Sequence, residues 1–331
     1  MFRFLILLFG VAAVAAGLGY NDYTDYLGKP LSISEAQSHF TIEPGWSAKR
    51  VSKALLKEGI IEKPHWFYLY ARLSEKSSAI KSGEFVLPGS PTVPELFDTF
   101  IKGQTKQYAV SIIEGSTFKQ LREKLSQSTD LVQTLGDDSD QTIMAELGQA
   151  DLHPEGVFFS DTYSFPKNTS DLEYLKRAHS MLNKVLEEEW QGRQSDLPFA
   201  TPYEALVLAS IVEKETAVAD ERPIIAGVFV TRLRAKMRLQ TDPTVIYGMG
   251  DKYNGNIRRS DLTTDTPYNT YTRGGLPPTP IAMVGREAIH AVMHPTATSA
   301  VYFVARGDGT HKFSDTLEQH NAAVRKYQLK K

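Results

Sequence analysis

The sequence predicts an α+β protein: an apolar N-terminal segment, a small module mixing helix and strand, and a larger mixed α/β domain. Three observations predict it. Residues 1–21 carry Arg3 as their only charge, and a polar spacer follows them. The next fifty or so residues read as strand, helix, helix, strand. From about Thr105, helical runs give way to a loop-rich stretch and then a closing two-strand hairpin. At 331 residues the chain suits one large domain or two modest ones. A hydrophobic share of 41% and a charged share of 23% fit a globular protein with a sizeable core. The net charge of −2 argues against a general nucleic-acid binder. With no cysteine, disulfides and thiolate metal sites are excluded.

The first segment, "MFRFLILLFGVAAVAAGLGYN", runs uncharged from Phe4 to Asn21, about 18 residues, near the lower limit for a membrane span. Its small residues, "VAAVAAG", fit a cleaved signal peptide. Its length and Arg3 also fit an uncleaved anchor with the amino terminus kept on the cytoplasmic side, and we adopt that reading. Either way the rest of the chain is expected outside the cytoplasm. The expected division is an anchor at 1–21, a linker at 22–38, a small module at 39–104 and a larger domain at 105–331.

In the small module, "HFTIEPGWSAKRVSKALLKEGII" gives a short strand, a turn at Pro44-Gly45 and a helix capped by Ser47, with Val51, Leu55 and Leu56 as its apolar stripe. "KPHWFYLYARLSE" is a second helix, and "SGEFVLPGSPTV" a strand closed by Pro and Gly. Residues 41–56, 84–103 and 111–125 echo one another as strand, turn and helix, a pattern that a common βα connection explains as well as duplication does.

In the larger domain, "HPEGVFFSDTYSFP" mixes aromatics with Glu155 and Asp161. Helices are expected over 170–190, 202–218 and 220–233. The region 240–280 is expected to be loop. The end of the chain reads as two strands around Gly-Asp-Gly, then a helix starting near Asp315 or Thr316.

The candidate for chemistry lies in "LASIVEKETAVADER". Glu215 follows Leu208 by seven places, Ile211 by four and Val212 by three, so it falls on the helix's apolar face. Glu213 points roughly 160° away, at the margin, where solvent or an ion pair is easier to reach. A carboxyl on an apolar face loses hydration, stays protonated nearer neutral pH, and can then serve as a general acid. The plain alternative is a frayed helix end paired with Lys214, Arg222 or a backbone amide. Polar side chains nearby suit a carbohydrate cleft: Gln240, Thr241 and Asp242 on a Pro-terminated turn, then Tyr268, Asn269 and Tyr271 in "TPYNTYTRGGLPP". The eight histidines show no metal-ligand spacing, and His153, His294 and His311 read as structural, although His294 in "MHPT" could also line the cleft.

Together, "ASIVEKETAVADERPIIAGVFVTRLRAKMRLQTDPTVIYG", "YNTYTRGGLPPTPI" and "EGVFFSDTYSFP" resemble the endolytic murein transglycosylases, the MltG or YceG-like family. The resemblance covers essentially the whole chain. It implies a single-pass inner-membrane anchor, a LysM-like module facing the periplasm, and a catalytic domain related to lysozyme and the lytic transglycosylases. It places the catalytic acid on the second glutamate of "EKE", Glu215. "MRLQ" is similar to a substrate-contacting segment of other lytic transglycosylases, although the glycine of that segment is absent here, and Glu155 joins the substrate-binding candidates.

The implied reaction cuts peptidoglycan glycan strands between N-acetylmuramic acid and N-acetylglucosamine without water, leaves a 1,6-anhydro end and helps terminate strand growth. The resemblance also implies peptidoglycan synthases as partners, and no metal or cofactor is called for. Two other readings stand beside it. One is a glycoside hydrolase using Asp242, Asp161 or Glu155 as a second carboxylate. The other is a wall-binding scaffold without turnover.

Overall fold

The computed structural model describes residues 2–329, without the side chains of residues 2–9 and 12. The chain divides into two compact units, Met1–Tyr108 with Ser164–Asn168, and Ala109–Tyr163 with Thr169–Lys331.

The first unit opens with helix α1 (Phe2–Gly28). The helix therefore runs past the apolar run and through the start of the expected linker. Its C-terminal turns have partners that explain this. Asp22 accepts from Lys63 Nζ at 2.5 Å and from Trp66 Nε1 at 2.9 Å, and the Tyr26 ring is buried. Among the described residues no helix is long and apolar enough to cross a membrane. Residues 1–9 and 12, on which much of the anchor expectation rests, lie outside the described side chains.

Then come β1 (His39–Ile42), α2 (Ala48–Lys57), α3 (Pro64–Leu73), β2 (Gly83–Val86) and α4 (Val93–Lys102). β1 and β2 pair antiparallel, with Phe40 opposite Phe85. Period-two alternation turns Phe40 and Ile42 inward. They meet Phe67, Phe97 and Phe100, and the Phe85 and Phe100 rings pack edge-on at 5.0 Å between centroids. Ser47 caps α2, accepting the Arg50 N–H as expected. The buried stripe of α2 is Ala48, Val51, Ser52 and Leu55, whereas Leu56 is exposed. Glu84, on β2, is a buried carboxylate held below its ordinary pKa mainly by the Tyr108 hydroxyl at 2.7 Å, with Lys106 and Lys167 nearby.

Strands β3 (Gln107–Ser111) and β4 (Thr162–Pro166) pair, and in each the chain passes from one unit into the other. Between them lie α5 (Phe118–Ser126) and α6 (Asp140–Glu146). The remaining helices are α7 (Asp171–Gly192), α8 (Pro202–Glu215), α9 (Arg222–Arg234), α10 (Asp242–Met249), α11 (Arg259–Thr263) and α12 (Arg286–Met293). The antiparallel hairpin β5 (Tyr302–Ala305) and β6 (His311–Ser314) follows, and α13 (Leu317–Tyr327), capped by Thr316, packs on it.

α8 is the centre of this unit. α7, α9, α10 and α12 all pack on it, and every residue from Ala205 to Val212 is buried. The expected amphipathic helix is thus apolar all round for two turns, which is the signature of an internal helix. It stops at Glu215, before the expected Val218, because Thr216 turns extended.

α10 was expected to be loop. Its Asp-Pro start is a helix opening, since proline in the first turn forfeits only an N–H that would have no helical partner. α9 is held close by Gly227. A Cβ there would lie 2.1 Å from the Thr296 carbonyl oxygen. Helix propensity alone predicts that Gly227→Ala stabilises by about 1 kcal/mol. The contact predicts the opposite, a loss of roughly 1–3 kcal/mol in urea denaturation.

Candidate active site

Glu215 is the last residue of α8, and its position there follows from how the helix ends. Burial is the largest cause of its pKa being raised to about 7. The unpaired carbonyls of a helix C-terminus, which carry partial negative charge, act in the same direction. A hydrogen bond from the Thr241 hydroxyl to Oε1 opposes the rise, the nearby Asp242 reinforces it, and His311 opposes it.

Thr241 reaches Glu215 by giving up an ordinary role. It is the N-cap of α10, yet its hydroxyl makes no cap hydrogen bond because it points to Glu215. Its N–H donates to Thr270 Oγ1 at 3.1 Å, and the Gln240 N–H donates to the Thr270 carbonyl at 3.2 Å. Gln240 itself has φ of +52°, a left-handed conformation that costs a non-glycine residue about 1 kcal/mol or more.

Arg232, buried on α9, holds this turn in place. Its Nη1 donates to the carbonyls of Arg238 at 2.9 Å and Leu239 at 2.7 Å, and its Nε donates to Val301 at 2.6 Å. Burial lowers its pKa from the ordinary arginine value.

These groups line a cleft of about 520 Å³. Glu215, Gln240, Thr241, Asp242 and Tyr271, all expected from the sequence, come together there. The Tyr271 hydroxyl donates to Asp242 Oδ1 at 2.6 Å. The opposite wall comes from the β5–β6 hairpin and α13, including Tyr302, Phe303, His311 and His320. Sequence reading missed Arg232, Tyr302 and His311 as cleft residues. Arg232 had a signal, a charge one turn after Val228 and Phe229 on an apolar helix.

The other expected residues are placed elsewhere. Asn269 is buried and its amide is committed to the loop: Nδ2 donates to the Asp261 and Thr264 carbonyls, and Oδ1 accepts the Tyr271 N–H. It positions Tyr271 and is not itself presented to the cleft. Tyr268 and Glu155 line a second cavity of about 810 Å³. Glu155 is raised to about 7, chiefly by burial, and accepts the Phe118 N–H at 3.0 Å. Asp161 is exposed and caps its own loop by accepting the Thr162 N–H. Glu213, expected at a solvent margin, has a side chain only 5% exposed. It accepts the Gly285 N–H at 3.0 Å, with Arg222 4.0 Å away, because an internal helix has no solvent side there.

Among the described residues, Glu189, His290 and His294 bring ligand atoms within 4.8 Å of one another and could hold a metal ion. Each ligand already has a protein partner: Glu189 bonds His290 Nδ1 at 2.8 Å, and His294 Nε2 bonds the Gly192 carbonyl at 2.8 Å.

Removing the Thr241 hydroxyl tests the electrostatics without removing a cap. Thr241→Val should make the Glu215 carboxyl roughly tenfold less acidic, because a hydrogen bond to its charged form is lost. A carbon-13 titration of that carboxyl reads this directly.

The fold and cleft define a class: a two-unit α+β protein with a carboxyl of raised pKa at the end of an internal helix. Residues 40–326 match the YceG-like family, and the chain belongs to it. It is 29% identical over 311 residues to the endolytic murein transglycosylase of Bacillus subtilis, covering 89% of this chain and 86% of that protein. It is 27% identical over 358 residues to the endolytic murein transglycosylase of Streptococcus pneumoniae strain D39. That match covers 97% of this chain but only 64% of the pneumococcal protein, so the chain spans less than two thirds of that relative. A crystal structure of a yceG-like protein from Listeria monocytogenes superposes with a TM-score of 0.53 at 28% identity, covering 86% of this chain and 98% of that one.

Proposed function

We propose that this chain is an endolytic murein transglycosylase that cuts peptidoglycan glycan strands between N-acetylmuramic acid and N-acetylglucosamine. The observation that carries the reading is Glu215, raised to about 7 in a cleft walled by hydroxyls and tyrosines. The names of the relatives support it.

In this mechanism protonated Glu215 donates to the glycosidic oxygen as the bond to the muramyl anomeric carbon breaks. The sugar's own C6 hydroxyl then closes on that carbon and gives up its proton to a base in the cleft, the Glu215 carboxylate itself in the simplest scheme, giving a 1,6-anhydro end. Burial keeps the proton on Glu215 until the glycan arrives, and the Thr241 hydroxyl stabilises the carboxylate that donation leaves. Mass analysis of the products from uncrosslinked glycan tests it. Anhydro ends, one water lighter than reducing ends, are expected, and reducing ends alone would contradict it.

A hydrolytic reading has one observation in its favour: Asp242 lines the same cleft and could activate water. Its carboxylate is tied to Tyr271, which favours the first reading.

The same proposal takes in the rest of the chain. Residues 1–21 anchor it in the inner membrane as a single pass, the two units work in the periplasm, and peptidoglycan synthases are its partners in ending strand growth. The β1–α2–α3–β2 order supports a LysM-like, glycan-docking role for the first unit. Fractionation should place the full chain with membranes, and protease added to spheroplasts should digest it.

A further inference from the structure

The cleft holds a second group suited to handling a proton. His311 opens β6, and one carboxylate holds both its ring and its main chain: Glu221 Oε2 lies 2.7 Å from Nδ1, and Oε1 accepts the His311 N–H at 2.8 Å. Glu221 belongs to the short 3₁₀ turn Ala219–Glu221, directly after the segment that leaves Glu215. Both side chains are nearly buried, 12% and 11% exposed. The Phe303 ring stands edge-on to the imidazole at 5.4 Å and fixes its plane.

A carboxylate on Nδ1 keeps the proton there and leaves the Nε2 lone pair to accept. Among the described residues Nε2 has no hydrogen-bond partner. His311 lines the same cleft as Glu215. The other titratable groups of the cleft lack this arrangement. Asp242 is bonded to the Tyr271 hydroxyl, and His320, stacked on Tyr302 with its Nδ1 buried and unpartnered, has no carboxylate to orient its ring among the described residues.

We propose that His311 is a second catalytic residue: its Nε2 takes the proton of the muramyl C6 hydroxyl as that oxygen closes on the anomeric carbon, and Glu221 positions it. This rests on the transglycosylase reading above. The step balances without water. The bond from the anomeric carbon to the bridging oxygen breaks, and that oxygen receives the Glu215 proton. The bond from the anomeric carbon to O6 forms, and the O6 proton goes to Nε2. The imidazolium sits against the Glu221 carboxylate and returns its proton to Glu215 before the next cleavage. Two groups thus divide a task that Glu215 alone would have to perform in succession.

The test is His311→Gly, His311→Gln and Glu221→Gln in the full chain, acting on uncrosslinked glycan, with anhydro and reducing ends counted by mass. We expect His311→Gly to form anhydro ends about 10²-fold more slowly and Glu221→Gln about tenfold more slowly. The residual products should shift toward reducing ends, because water competes once the C6 hydroxyl loses its base. Added imidazole should restore anhydro formation to His311→Gly, which a tether for the hairpin would not show. Should His311→Gly fail to fold, the product ratio of His311→Gln decides.

An unchanged rate and ratio overturns the inference. So does a slow, folded variant with an unchanged ratio and no imidazole rescue. Glu215→Gln run in parallel separates the two readings: if it is fully active the transglycosylase reading fails, whereas if it is inactive beside a fully active His311→Gly, only this inference fails.

Discussion

Glu215→Gln is expected to lower the rate of glycan cleavage by about 10³-fold, within the range for loss of a general acid. The amide keeps the shape and the Thr241 contact but has no proton to give. The same carboxyl sets the pH dependence. With its pKa raised from an ordinary 4.5 to about 7, the protonated, donating form is present below pH 7 and is lost as pH rises through it. The acid-requiring limb of the wild-type profile should fall above about pH 7.

Stability carries the matching sign. The folded pKa lies above the unfolded one, so the native state binds the extra proton between pH 4.5 and about 7, and stability declines across that window. Glu215→Gln, which cannot ionise, should therefore melt roughly 2–4 °C higher than wild type at pH 8. The gain should shrink toward pH 5. An inactive variant that is also more stable cannot be explained by misfolding.

Arg232→Met is expected to cost about 3 kcal/mol of folding stability and at least tenfold in activity. Methionine fills much of the volume but donates nothing, so the carbonyls of Arg238, Leu239 and Val301 lose their common donor. The loss falls on the turn that presents Thr241 to Glu215, and on the hairpin that forms the far wall of the cleft. Denaturation and activity should therefore decline together, unlike Thr241→Val, where the site changes and the fold is retained.

What could be read from the sequence was what is encoded locally. The Ser47 cap, the hairpin at Gly-Asp-Gly, the start of the last helix near Thr316 and the approximate positions of α7, α8 and α9 follow from neighbouring residues, whereas α10 lies where loop was expected. Helical spacing also put Glu215 in line with Ile211 and Val212, both buried. The exceptions come from packing at a distance. Glu213 is buried because α12 covers the side of α8 that the spacing left to solvent. Asn269 looks like a sugar-binding amide in sequence, but the carbonyls of residues 261 and 264 take up its donors. Glu155 has the burial of an acid catalyst but occupies a different cavity. The His311–Glu221 pair joins residues ninety places apart, which no spacing rule connects.

All of this rests on one carboxyl keeping its proton at neutral pH, and that proton can be observed. In a carbon-13 titration of the full chain, the side-chain carboxyl signal that vanishes in Glu215→Gln should move through its midpoint near pH 7. A midpoint near 4.5, the value of an ordinary glutamate, would mean that the group is ionised when glycan binds and would contradict the mechanism.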